Sequence, residues 1–236
     1  MTGRIAWIDI GRSIALVGMI VYHFGYDLAT FGLVSAQSVI SGPMRLLAIV
    51  TAGSFIAIAG VSLQVAHGQG IRWAAFWRRI AILAAAALAI TTLTYLWAGP
   101  LFIFFGILHA IALFSLLGLA ALRLSWWATL ACAVGTLALP FVWSHPVFDA
   151  PFLLWTGLGT SVPATLDYEP VFPWFGAFLG GMALAKAADG TALMQRRPLS
   201  GVTRLAALPG QHSLLVYLVH QPILIALIWL WVTVWT

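Results

Sequence analysis

Long apolar runs separated by short polar connections dominate this chain. Seven reach spanning length, at roughly 5–32, 43–66, 73–97, 101–121, 125–143, 171–188 and 211–234, since about 20 residues cross a hydrocarbon core. Each run predicts an α-helix. The expected fold class is therefore all-α: a polytopic transmembrane helical bundle with seven transmembrane helices, forming one domain over residues 1–236. Two connections are long. Segment 144–170 carries four prolines around the apolar centre FLLWTGL, which is too short to span, and it predicts an interfacial or re-entrant lid. Segment 189–210 is polar and basic. In the sixth run Gly176 and Gly180 form a small-xxx-small pair suited to close helix contact.

The first run departs from a plain apolar span. It reads DIGRSIALVGMIVYHFGYD and carries Asp9, Arg12, His23 and Asp27. At about 100° per residue these four fall within an arc of roughly 60°. A charged group facing lipid costs several kcal/mol, so the stripe faces protein or water inside the bundle. A buried ion pair that only fixes packing is the plainer alternative.

Composition narrows the class. Of 236 residues 62% are hydrophobic and 7% charged, where a soluble domain carries about 25% charged, and mean hydropathy is +1.02. The 12 tryptophans cluster near run ends, as interfacial aromatic belts do. The first run lacks a small-residue cleavage site after it and reads as a retained helix, not a signal peptide. Cys132 has no partner for an internal disulfide and reads as inert packing. The net charge of +5 belongs to topology rather than to nucleic acid. With the N-terminus in the cytoplasm, Arg4, Arg12, Arg72, Arg78, Arg79, Arg123, Lys186, Arg196, Arg197 and Arg204 all lie inside and only Arg45 outside. Ten of the eleven basic residues on one side is a strong positive-inside signal. Asp27, Asp149, Asp167 and Glu169 then lie toward the outer side, and the C-terminus ends outside.

Depth along the runs gathers candidate chemistry. His23 lies near the middle or in the outer half of its helix. His109 sits eight residues into the fourth run, roughly 12 Å deep at 1.5 Å per residue, and His220 nine residues into the seventh. Three imidazoles on three helices are thus expected at similar heights. Ser213, Tyr217 and His220 share a face at i, i+4, i+7. Pro222 removes the bond that would have used the Leu218 carbonyl and predicts a kink. His23 with Asp27 one turn away is the strongest pair, because a carboxylate fixes an imidazole tautomer and raises its basicity. Arg45 could instead neutralise Asp27. His67 and His145, near loops, are set aside, and His109 alone is as readily a packing residue. No His-x-x-x-His pair is present, so no metal is expected. No nucleophile elbow, P-loop or dinucleotide fingerprint occurs, and nothing supports nucleic-acid binding.

At these residues the chain resembles the heparan-α-glucosaminide N-acetyltransferase catalytic-domain family, as a short bacterial member of the transmembrane acyltransferase type. The matching stretches are Asp9-x-x-Arg12, Tyr22-His23-Phe24-x-x-Asp27-Leu28, Gly60-Val61-Ser62-Leu63, and Phe105-Gly106-Ile107-Leu108-His109. Further on come Asp167-Tyr168-x-Pro170-x-Phe172-Pro173-Trp174-Phe175-Gly176 and Gly210-x-His212-Ser213-Leu214-x-x-Tyr217-x-x-His220-Gln221-Pro222. Two positions depart from the family pattern. Ser13 stands where Gly usually follows the first Arg, and the loop 31–41 lacks the His that longer members carry there.

The resemblance implies an enzyme taking an acyl group, usually acetyl, from cytoplasmic acetyl-CoA to a hydroxyl or amine of a sugar-like or lipid-linked acceptor outside. Bacterial cytoplasmic-membrane localisation is expected, and a homodimer is compatible with it. Depth and the Asp27 pairing, rather than a family motif, make His23 the general base of a catalytic set of His23, Asp27, His109 and His220, with Tyr217 or Gln221 facing the oxyanion. Arg12, Arg78, Arg79, Arg196 and Arg197 hold the CoA phosphates, while Arg45, Asp167 and Tyr168 line the acceptor side. The competing readings are a proton-coupled carrier using the same His and Asp groups as a relay, and a structural membrane subunit.

Overall fold

A computed structural model describes residues 5–195 and 200–235; Arg4, Arg196 and Arg197 lie outside the described residues. Nine α-helices are described: α1 Ala6–Thr30, α2 Ala36–Ile40, α3 Gly42–His67, α4 Trp73–Ala98, α5 Ile107–Ala121, α6 Trp126–Val142, α7 Val171–Ala187, α8 Gly201–Gln211 and α9 Ser213–Trp235. With α4 extended by a 3-10 turn to Leu101, four helices are long and apolar enough to cross a membrane: α1, α3, α4 and α9. Three apolar helices are shorter: α5, α6 and α7, of 15, 17 and 17 residues, or about 22–26 Å at 1.5 Å per residue.

Their surfaces are those of helices in hydrocarbon. Leu96 is 76% exposed and Phe141 84%. Hydroxyls on these helices turn inward to their own backbone: Ser54 donates to Val50 O, Thr92 to Leu88 O, Thr136 to Cys132 O and Thr233 to Trp229 O. A side chain without water to bond with satisfies itself on the carbonyl one turn back. Cys132 is exposed on this surface, not packed inside.

The chain divides into two compact units. One comprises Met1–Phe55 with Gly190–Thr236, the other Ile56–Asp189. In the first, α1 packs along α8 and α9, burying Ile8, Leu16, Met19, Ala207 and Ile228. The α1–α8 approach is very close: a Cβ at Gly210 would run into the carbonyl oxygen of Asp9. There the Gly210 N–H donates to the Ser13 hydroxyl (2.9 Å), which itself donates to the Asp9 carbonyl (3.2 Å). Ser13, the departure from the family pattern, is thus the hydroxyl that ties α1 to α8. Helix α8 falls almost wholly within the connection 189–210, where the sequence predicts no helix. Its Pro209 and Gly210 hide the helical period, and α1 supplies the packing that fixes it.

In the second unit α6 packs along α7, and α5 joins α4 and α7 around Phe114, Phe178, Met182 and Leu63, all nearly inaccessible. Two corrections belong here. Of the expected glycine pair, Gly176 does approach the α6 backbone at Ala133, but Gly180 faces open space; the second tight contact is Gly181, against the Ala57 carbonyl. The run at 101–121 is not one helix. Gly99–Leu101 form a 3-10 turn and α5 begins only at Ile107, because the intervening residues bond across to the outer segment. Phe105 bridges Tyr168 in parallel, Leu166 N donates to Leu101 O, and Glu169 N donates to Phe105 O.

That outer segment, 144–170, is folded. Short 3-10 turns form at Pro146–Asp149 and Leu154–Thr156. The Asp149 carboxylate closes the loop by accepting from the backbone N–H and hydroxyl of both Thr160 and Ser161. Tyr168 donates its hydroxyl to Leu154 O (2.6 Å).

Candidate functional site

The polar stripe of α1 meets α9 at four residues. His23 and Asp27 lie one turn apart on α1, and His220 and Gln221 are adjacent on α9. The rings of His23 and His220 have centroids 5.0 Å apart, and the Gln221 amide donates to Asp27 Oδ1 at 2.6 Å. Asp27 and His220 are buried. Tyr22 packs edge-on against His23, and Tyr217 lies against His220. His220 Nδ1 sits 2.7 Å from the main-chain carbonyl of Tyr217. Helix α9 continues through Pro222.

The expected pairing is corrected here. Asp27 is bonded to Gln221, not to His23, and Arg45 is exposed. On one helix, residues four apart keep their Cβ atoms about 6 Å apart, and the longer amide from the facing helix reaches the short aspartate first.

The arrangement leaves polar atoms open. His23 Nδ1, Asp27 Oδ2, His220 Nε2 and Gln221 Oε1 are all buried without a hydrogen-bond partner. Only six side-chain atoms among the described residues are in that condition, and four of them belong to this cluster. Each such atom costs about 1–3 kcal/mol, and native structures leave few of them unfilled. Four together describe a place built to receive hydrogen-bonding groups.

His109 stands in the other unit and is already employed. It is the third residue of α5, not eight residues into a helix. Its Nδ1 accepts from Gly106 N–H (3.3 Å) and its Nε2 lies 3.1 Å from the Thr91 hydroxyl, which donates to Ile103 O. Nδ1 accepts, so Nε2 carries the proton and donates. Asp167 Oδ2 accepts from Ile107 N at 3.0 Å, so the pair caps the start of α5. Lys186 does the same at the other end: its ammonium donates to Ala121 O, Leu124 O and Thr129 Oγ1 at 2.6–2.8 Å. The set-aside histidines are also structural, His67 accepting from Arg72 N and His145 from Val147 N.

The outer segment is electrostatically uneven. Burial raises the Asp167 carboxyl above its ordinary value. Burial and then the neighbouring Asp167 raise Glu169 well above its own, and Glu169 Oε2 has no partner. Burial, then the Asp149 charge, pushes the Tyr168 hydroxyl up to about 12. Asp149 is held below the usual carboxylate range, first by the Thr160 hydroxyl and then by the Ser161 N–H. Glu169 carries a clear structural signal that position along the chain did not single out.

The arginines assigned to CoA divide between the units. Arg12 pairs with Asp9 on α1 at 3.2 Å, whereas Arg78 and Arg79 lie on α4. Arg196 and Arg197 lie outside the described residues.

No curated protein and no solved structure matches the chain. One family does, over residues 4–222: heparan-alpha-glucosaminide N-acetyltransferase, catalytic. The match spans the α1 stripe, the Gly106–His109 and Asp167–Gly176 stretches and the His220–Gln221 pair. This integral-membrane, all-helical chain therefore belongs to the heparan-alpha-glucosaminide N-acetyltransferase catalytic family.

Proposed function

We propose that this chain is a membrane acyltransferase that takes an acetyl group from cytoplasmic acetyl-CoA and passes it to a hydroxyl or amine of a sugar-like or lipid-linked acceptor at the outer side. One observation carries the reading: the buried His23–Asp27–His220–Gln221 cluster, with four polar atoms left open inside an apolar helix pair. Membership of an acetyltransferase family supplies the reaction class.

In this reading an imidazole of the pair removes the acceptor's proton as its heteroatom attacks the thioester carbonyl, a role worth about 10²–10⁴-fold. The Gln221 amide holds Asp27 in place, and Asp27 Oδ2 orients the acceptor. Tyr217 or Gln221 meets the developing oxyanion. CoA phosphates are met by the basic residues Arg12, Arg78, Arg79, Arg196 and Arg197, while Arg45, Asp167 and Tyr168 serve the acceptor side. Seven helices cross the cytoplasmic membrane of a bacterium, and the bias of the basic residues supports N-terminus in and C-terminus out.

The deciding experiment is equilibrium binding of acetyl-CoA to purified protein by calorimetry, followed by product detection with glucosamine as trial acceptor. We expect saturable binding that weakens with added salt and weakens again in Arg12→Ala. Absence of CoA binding, together with proton-dependent flux in vesicles, would establish a carrier and overturn the acyltransferase.

A further inference from the structure

We infer that His220, through Nε2, is the base that accepts the proton of the incoming acceptor, and that the main-chain carbonyl of Tyr217 fixes it in that role. This deepens the acyltransferase reading and rests on it.

His220 Nδ1 lies 2.7 Å from the Tyr217 carbonyl oxygen. A carbonyl oxygen accepts and never donates, so Nδ1 must carry the hydrogen. A neutral imidazole has only one N–H. Its second nitrogen, Nε2, therefore presents a bare lone pair, and that atom is buried without a partner. The lock lies entirely within α9, one turn long, so it holds wherever α9 goes.

His23 has no comparable device. Its Nδ1 is unpartnered, the carboxylate expected to orient it is engaged by Gln221, and among the described residues no hydrogen bond selects its tautomer. His109 is excluded by the opposite condition, since both its nitrogens are spent on the start of α5. Of the three histidines, only His220 has one nitrogen anchored and the other free, which is the arrangement a general base needs.

The step balances without any further reagent. The acceptor's heteroatom forms a bond to the thioester carbonyl carbon while its proton moves to His220 Nε2. The carbon–sulfur bond then breaks, and the leaving CoA thiolate takes that proton from the imidazolium. The products are the acetylated acceptor and CoA thiol, and His220 returns to its neutral Nδ1–H form. His23, 5.0 Å away ring to ring, shapes the wall against which this happens.

Two measurements test the assignment. The first compares His220→Asn with His23→Asn. Asparagine at 220 keeps an N–H donor for the Tyr217 carbonyl but has no basic nitrogen. We expect kcat to fall by about 10²–10⁴-fold with the KM for acetyl-CoA unchanged, and His23→Asn to lose less than about tenfold. The reverse order overturns the inference. The second needs no variant: ¹⁵N NMR of imidazole-labelled wild type should show a protonated Nδ1 and a bare Nε2 at His220. An Nε2–H tautomer with intact acetyl transfer overturns this assignment alone. A wild type that neither binds nor turns over acetyl-CoA overturns the acyltransferase reading beneath it.

Discussion

Two polar clusters in this protein use the same residue types to opposite ends. Around α5 in the second unit, His109, Asp167 and Lys186 spend their polar atoms on backbone groups at the two ends of a short helix. Between α1 and α9 in the first unit, His23, Asp27, His220 and Gln221 leave four atoms open. A buried polar group costs free energy unless it is bonded. The first cluster therefore contributes stability as it stands. The second gives up stability and becomes worthwhile only when something fills it. A buried histidine by itself says little about function; what its second nitrogen is doing says much more.

The comparison breaks most visibly if substitutions in the two clusters have the same consequence. Beyond the histidines, the largest effect is expected from Asp27→Asn, which keeps an oxygen for the Gln221 amide but replaces the open carboxylate oxygen with an amide nitrogen. Acetyl transfer should fall by about a hundredfold, while thermal stability holds or rises because a buried charge is gone. A rate close to wild type in a product assay would place Asp27 among the packing residues.

Next in size is the mirror experiment at Lys186. Lys186→Met keeps the length and removes three donors, leaving Ala121 O, Leu124 O and Thr129 Oγ1 without the ammonium. We expect a loss of about 1–3 kcal/mol in unfolding free energy with the turnover of the folded fraction preserved. Loss of turnover at full stability would show that the second unit's polar groups serve the chemistry.

The smallest effect concerns Glu169, whose open Oε2 is the outer segment's counterpart to the open atoms of the site. Its folded value is raised, so the folded state holds the proton more tightly than the unfolded chain does. Stability is greatest at low pH and falls as pH rises from the ordinary glutamate value through the raised one. Glu169→Gln should flatten that limb of a melting-temperature profile and raise the melting point modestly at neutral pH. A profile unchanged by the substitution would mean that Glu169 is hydrated in the folded state.

Much of this architecture is legible in the chain before any coordinates. The predicted runs at 43–66, 73–97 and 211–234 closely match α3, α4 and α9, because an apolar stretch of that length in hydrocarbon must satisfy its backbone internally and the helix does so locally. The stripe on α1 was legible for the same reason: one helix's angular period is a local property, and Asp9, Arg12, His23 and Asp27 share a face whatever packs against them. The family, too, was carried by short ordered motifs.

Partnership was decided elsewhere. That Asp27 receives Gln221 rather than His23, that Ser13 accepts from Gly210, and that Lys186 reaches Ala121 all depend on pairs 65 to 197 residues apart, which no local period encodes. The start of α5 shows the reason most plainly. An apolar run at 101–121 is free to begin a helix at Leu101, but it begins at Ile107 because residues 166–169 of the outer segment take the backbone groups that a longer helix would have used. Local sequence determines which residues can be helical and which face is polar. Only the tertiary structure decides which polar atoms find partners, and among the described residues four of the six buried side-chain atoms that find none lie together between α1 and α9.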